Sequence, residues 1–249
     1  MRLLLSLLTL LPALVLASGG EQLMHADNNL SDSDSLKRGA KIFVDNCLSC
    51  HSASFMRFSR MGQDLGISDK ELLSDYMHGN DKVGSPMNTA VDKAAVATFF
   101  GVVPPDLSVV ARSRGVDWLY TYLLSFYVDN STNTGMNNLV FKDVGMPHVL
   151  WEQQGLQKAV FKTEKDADGN EHPVFEKFEP VNAKGLSQTE LDKKAENYQT
   201  TVRDLVNFLA YLGEPIKTYR QALGVKILIF LAIFFVFAYL LKKEYWKDI

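Results

Sequence analysis

Cys47-Leu48-Ser49-Cys50-His51 is the stretch that decides how this chain reads. The whole sequence holds two cysteines, and both are here. A pair at this spacing admits a dithiol redox couple, half of a zinc site, or the attachment point of a haem. Redox C-x-x-C pairs sit at a strand-to-helix junction, and nothing before Cys47 alternates as a strand does. A zinc site needs further ligands to close its tetrahedron, and there is no second cysteine pair to supply them. The histidine directly after Cys50 selects the haem. In C-x-x-C-H, two thioethers form to the haem vinyl groups and the imidazole takes one axial position on the iron. One helical turn holds both sulfurs on the same side and presents the ring to one haem face. A single such motif predicts one covalently bound haem c, held by Cys47, Cys50 and His51.

Working outward, the residues before the motif predict a helix leading into it. Ser35 is the expected cap, and Leu36, Ala40, Phe43 and Val44 fall on one face. After the motif, the open question is the second axial ligand. A thioether there raises the reduction potential and suits an electron carrier; an open position suits a peroxidase or a gas sensor. Met56 and Met61 follow the haem-binding turn too closely to reach round to the other face. Met77 belongs to a helix begun by a Ser68–Glu71 capping box, and with Leu73 it is expected to pack the core. Met87, after Pro86 in a Gly/Asn/Ser-rich loop, stays open as a candidate. Met146 has the best local chemistry. Gly145 before it and Pro147 after it set an irregular loop, and the glycine would let the backbone approach a flat cofactor closely. His148 is its rival.

The two ends of the chain carry its apolar blocks. Met1 to Ala17 has Arg2 as its one charge and a short leucine-rich run, the pattern of a secretory signal peptide over 1–17. An uncleaved anchor is the alternative, although the run is short for spanning a bilayer. Leu223 to Leu241 is interrupted only by Lys226 and predicts a transmembrane helix over 221–241. Lys226 lies near one end, where its ammonium can snorkel. Lys242, Lys243 and Lys247, with Tyr245 and Trp246, mark the tail 242–249 as cytoplasmic. Both signals put the domain 18–220 on the far side, the periplasm of a bacterial inner membrane.

That domain has a mildly acidic balance. Of 26 Lys and Arg, all but Arg2, Lys226, Lys242, Lys243 and Lys247 lie in it, and of 29 Asp and Glu, all but Glu244 and Asp248. Its 21 basic and 27 acidic side chains leave a formal −6, which argues against nucleic acid and suits a basic soluble partner. Asp27, Asp32 and Asp34 read as a solvated N-terminal arm. Phe161 to Phe178 around Asp168-Gly169 predicts a β-hairpin within an insertion-like region from Glu152 to Lys194. A capping box at Ser187 and Glu190 then opens a helix with Leu191, Val202, Leu205, Val206, Leu209 and Leu212 at helical spacing. Gly213 and Pro215 should stop it. The architecture expected is mainly α: an enlarged cytochrome c-like haem domain with long loops, plus one C-terminal transmembrane helix.

Several segments, taken in order, resemble cytochrome c1, the haem subunit of the cytochrome bc1 (quinol:cytochrome c oxidoreductase) complex. They are the C-x-x-C-H motif, Pro104-Pro105-Asp106-Leu107-Ser108, Ala111-Arg112-Ser113-Arg114 with Asp117-Trp118, and Gly145-Met146-Pro147. Asp204 to Pro215 and the anchor with its basic tail complete the series. The ordered set, spanning nearly the whole chain, is what is specific. The resemblance implies that Met146 is the sixth iron ligand and that an arginine, Arg114 by best alignment, pairs with a haem propionate. It further implies that the double proline walls the proximal histidine, with a carbonyl such as that of Pro105 accepting the second imidazole N–H. The implied partners are cytochrome b, the Rieske iron–sulfur protein as electron donor, and a soluble or anchored cytochrome c as acceptor. The chain would then be an electron-transfer subunit and not an enzyme by itself. Another anchored c-type cytochrome, serving a different oxidase or reductase, is the alternative. Phe99-Phe100 departs from the more polar stretch often found there in the family, and the extra disulfide of some relatives has no cysteines here.

Overall fold

The computed structural model describes residues 23–79, 82–166, 169–181 and 185–247. The segment 1–17 read as a signal peptide lies outside them, as does Asp168. An extended N-terminal stretch leads into helix α1 (Ser33–Asn46). It is followed by strand β1 (Ala53–Arg57), helix α2 (Phe58–Leu65) and a short helix α3 (Asp69–Glu71) that widens into a π turn over Leu72–Tyr76. Then come β2 (Pro86–Met87), α4 (Lys93–Phe100), α5 (Val110–Arg114), α6 (Val116–Leu124), β3 (Phe126–Val128) and β4 (Met136–Asn138). The chain closes with α7 (Trp151–Gln154), the hairpin β5 (Gln157–Lys165) and β6 (Glu171–Pro180), and two long helices, α8 (Gln188–Gly213) and α9 (Lys217–Tyr245). Each strand pairs antiparallel with one other, β1 with β2, β3 with β4 and β5 with β6, so the sheets serve as clips on a helical frame.

The frame is the crossing of α1 and α8. The expected face of α1, Leu36, Ala40, Phe43 and Val44, is buried, and Phe43 meets Phe208 of α8 with ring centroids 5.6 Å apart. The crossing is close because Gly39 has no side chain. A Cβ there would stand 2.0 Å from the Asp204 carbonyl oxygen and 2.8 Å from Phe208 Cβ. Asp204 is itself buried, and the Arg38 guanidinium donates to both of its oxygens, Nε to Oδ2 at 2.6 Å and Nη2 to Oδ1 at 3.0 Å. This fork neutralises a carboxylate that would otherwise be costly to bury. Asn207 Nδ2 donates to Ser35 Oγ at 3.1 Å and to the Asn29 carbonyl at 2.8 Å, tying the same seam.

The true cap of α1 is Asp32, whose Oδ1 accepts from the N–H groups of Asp34 and Ser35. Ser35, the expected cap, lies within the first turn and is buried against Asn207. A carboxylate three residues upstream competes better for the free N–H groups at a helix start. The stretch before it is not a loose arm either. Met24 N–H donates to Thr121 Oγ1 at 2.8 Å, Ala26 N–H to Asp117 Oδ1 at 2.9 Å, and Arg203 Nε to the Ala26 carbonyl at 3.0 Å, with Ala26 fully buried.

The capping box at Ser187 and Glu190 is formed, and α8 ends at Gly213. Its Val202, Leu205, Val206, Leu209 and Leu212 are buried as expected, and Leu191 is half-buried. Met77 packs in the core, whereas Leu73, expected beside it, points to solvent because the π turn shifts its face. The hairpin is longer than the sequence pattern suggested and packs toward β3, where the Tyr127 and Phe161 rings meet at 6.2 Å. Only Glu214–Ile216 separates α8 from α9, so α9 starts before the anticipated anchor. At 1.5 Å per residue its 29 residues reach about 43 Å, more than a hydrocarbon core, and none is buried in the protein.

Gly39→Ala is expected to cost about 2 kcal/mol or more in denaturant unfolding, because the methyl group must push two backbones apart. Gly84→Ala, with open space around it, should stay within about 0.5 kcal/mol of the parent.

Candidate functional site

Helix α1 delivers the cysteines. It runs to Asn46, and the motif continues as a turn in which His51 N–H donates to the Cys47 carbonyl at 2.8 Å and Cys50 N–H to the same oxygen at 3.0 Å. The two sulfurs are not joined to each other. Burial, with Cys50 close by, pushes the Cys47 thiol up to about 12, so it makes little thiolate near neutral pH. Cys47 is buried and Cys50 half-exposed.

Cys47, Cys50 and His51 open onto an apolar cavity of about 410 Å³, well inside the range for small-molecule sites. Its lining comes from segments far apart in the sequence. Phe100 to Pro105 and Leu107 bring the loop after α4, while Arg114, Trp118 and Tyr122 come from α5 and α6. Gly145-Met146-Pro147 and Val149 supply a further segment, and Leu205 and Leu209 the floor from α8. Two sulfurs, one imidazole and one thioether are thus gathered round a space with almost no polar surface.

The imidazole is oriented by the chain itself. His51 Nδ1 lies 2.8 Å from the Pro105 carbonyl oxygen. A carbonyl only accepts, so Nδ1 carries the proton and Nε2 keeps its lone pair for a metal. Burial holds the ring below its ordinary titration range, against an opposing pull from Pro105 and Asp106. Asp106 is fixed in turn, since Ser54 N–H donates to its Oδ2 at 3.0 Å and Ser108 N–H to its Oδ1 at 2.8 Å. These residues fit a haem c: thiols for the vinyl groups, an imidazole with a free nitrogen, and an apolar slot beside them.

The rival ligands lie elsewhere. Met87 is fully buried in the β1–β2 pair opposite Ala53 and does not line the cavity. His148 is buried and stacked on Phe126 at 5.0 Å, away from the lining, and burial depresses its titration to about 4. Met146 lines the cavity, where the Tyr122 hydroxyl donates to its Sδ at 3.3 Å. Gly145 lines the cavity and also serves a close approach to protein: a Cβ would fall 2.7 Å from Val102 Cγ1 and 3.0 Å from the Phe100 carbonyl. Arg114 also lines the cavity, with its guanidinium 5.1 Å above the Trp118 ring. Phe100 faces the cavity while Phe99 is exposed.

Sequence reasoning overlooked Tyr122. Part of the signal was available, because Trp118 and Tyr122 are four apart and share one side of α6.

The sequence profile of the Cytochrome C1 family matches residues 27–249. A protein of Allochromatium vinosum named cytochrome c1 is 45% identical over 97% of this chain and 96% of its own length. One from Nitrosomonas europaea, named ammonia monooxygenase gamma subunit, is 46% identical over 96% of this chain and 94% of its own. The cytochrome c1 of Rhodospirillum rubrum is 27% identical over 88% and 83% respectively.

Cys50→Ala should leave haem attached through Cys47 alone, with one vinyl group intact. The pyridine haemochrome α-band is then expected at longer wavelength, while haem still migrates with the chain on a denaturing gel. Loss of covalent haem from Cys47→Ala together with Cys50→Ala completes the test.

Proposed function

The chain belongs to the Cytochrome C1 family, the haem subunits of bc1 complexes, and from that premise we propose the finer assignments. It carries one haem c, bound through Cys47 and Cys50, with His51 and Met146 as the axial ligands. It takes electrons from a Rieske iron–sulfur protein and passes them to a soluble or anchored cytochrome c. The observation that carries this reading is the convergence of the C-x-x-C-H turn and Met146, 95 residues further on, upon one apolar cavity.

The bound haem supplies a one-electron couple at its iron. The chain's own residues do the rest. Pro105 holds the His51 ring in one tautomer and orientation, so the donor nitrogen needs no rearrangement when the charge on the site changes. Leu205, Leu209 and Phe100 keep water from the slot and lower its dielectric constant, which favours the less charged, reduced state. Arg114, at the cavity edge, offers a guanidinium to a propionate. Oxidation of quinol would belong to the cytochrome b partner.

Helix α9 supports the topology. Its last turn holds Lys242 and Lys243, and the positive-inside tendency puts that end in the cytoplasm. The domain 18–220 then lies in the periplasm of a bacterial inner membrane, after removal of a signal peptide at 1–17, with 221–241 in the bilayer and 242–249 as tail. The Nitrosomonas relative is named as a subunit of an ammonia monooxygenase, a different complex, and co-purification separates the two readings. Cytochrome b and an iron–sulfur subunit accompany the chain under the present one; monooxygenase subunits in their place would overturn the partner assignment.

Met146→Leu tests the ligand. The parent protein should show a low-spin c-type spectrum with the near-infrared charge-transfer band of sulfur ligation, and the variant should lose that band and drop in potential. A variant spectrum identical to the parent's would remove Met146 from the iron.

A further inference from the structure

We infer that Tyr122 is a positioning residue for the Met146 thioether and, through it, a determinant of the reduction potential. This rests on the proposed ligation by Met146. The observation is the hydroxyl of Tyr122 donating to Met146 Sδ at 3.3 Å within the cavity lining. A thioether sulfur keeps two lone pairs, so one can face a metal while the other accepts this proton.

The phenol is held where it is by its neighbours. Its ring stacks on Trp118, with centroids 5.0 Å apart and planes 11° from parallel, and meets Phe126 edge-on at 5.0 Å. Trp118 is covered in turn by the Arg114 guanidinium. Arg114, Trp118, Tyr122 and Phe126 touch in succession from the end of α5 through α6 to the start of β3, so that these contacts form a continuous buttress. At its inner end the Asn138 Nδ2 donates to the Tyr122 carbonyl at 2.7 Å, fixing the backbone under the ring. A hydroxyl presented so firmly can select one orientation of a side chain as flexible as methionine, which has three rotatable bonds.

Two consequences follow. Donation to the sulfur draws electron density from it, making it a weaker donor toward ferric iron and thereby favouring the reduced state. Hydrogen bonding around an axial ligand is one of the protein's levers on haem potential. Loss of the hydroxyl should also let the thioether adopt more than one orientation, since the cluster of Phe126, Met136 and Val144 against which Met146 packs is apolar.

The experiment compares wild type, Tyr122→Phe and Met146→Leu as haem-loaded full-length proteins. Tyr122→Phe keeps the ring and both aromatic contacts, and circular dichroism with a covalent haem stain confirms that it is folded and loaded. A three- to tenfold shift toward the oxidised form at fixed poise is expected, a fall in midpoint of up to about 60 mV at 59 mV per tenfold for one electron. The near-infrared sulfur band should stay but move and broaden, and proton NMR of the reduced protein should show more than one set of methionine methyl signals shifted by the haem ring. Tyr122→Trp, which keeps a donor on a larger ring, gives a second reading: its midpoint is expected between those of the parent and the Phe variant. An unchanged midpoint and band in Tyr122→Phe would overturn the role of Tyr122 while leaving Met146 on the iron. Indifference of the wild-type band to Met146→Leu would instead strike the ligation on which the inference stands.

Discussion

The contact on which the rest of the structure depends is that of Gly39 with the Asp204 carbonyl. Two helix backbones touch there with no side chain between them, and the neighbouring pairs all take their register from that contact. Arg38 reaches the Asp204 carboxylate, Phe43 meets Phe208, and Ser35 meets Asn207. Because side chains of packed helices seat in one another's grooves, these contacts taken together fix the place of α1 on α8. The cysteine motif leaves the C-terminal end of that helix, so its position follows. Leu205 and Leu209, one and five residues beyond Asp204, are thereby set under the cavity that the motif faces.

The upper part of the site is built by loops, and its order comes from hydrogen bonds more than from packing. Ser54 and Ser108 hold Asp106, which fixes the Pro104-Pro105 segment, and the Pro105 carbonyl then orients His51. Leu107 N–H also donates to the Ser52 carbonyl at 2.8 Å, binding the proline segment directly to the residues after the motif. Gly145 lets the methionine loop lie against Phe100 and Val102, so two irregular segments brace one another. Prolines at both places reduce the freedom the unfolded chain would lose.

The route from domain to anchor is short and stiff. Three residues join α8 to α9, and the Arg220 guanidinium pairs with Glu214 across the joint. The frame helix of the haem site therefore passes almost directly into the apolar helix. An electron-transfer domain joined in this way samples fewer orientations over a membrane than one on a flexible tether, which limits the range of distances to its partners.

By itself, the sequence determined the chemistry and the order of the parts. C-x-x-C-H specifies a covalent haem because five adjacent residues contain all the groups required. Likewise Leu223 to Leu241, Ser187 with Glu190, and the apolar face of α1 are legible because helical period, capping and hydropathy are local properties. Tertiary structure decided what depends on approach between distant segments. It put Met146 and not His148 at the cavity, since aromatic stacking with Phe126 draws the histidine into the core. It tied down the N-terminal stretch that composition alone suggested was loose, through partners such as Thr121, Asp117 and Arg203 nearly a hundred residues away or more. It also turned Gly145 toward Phe100 and Val102, and Tyr122 toward sulfur. Residue type tells what a group can do; which neighbour it meets is set by packing, and packing is a property of the whole chain.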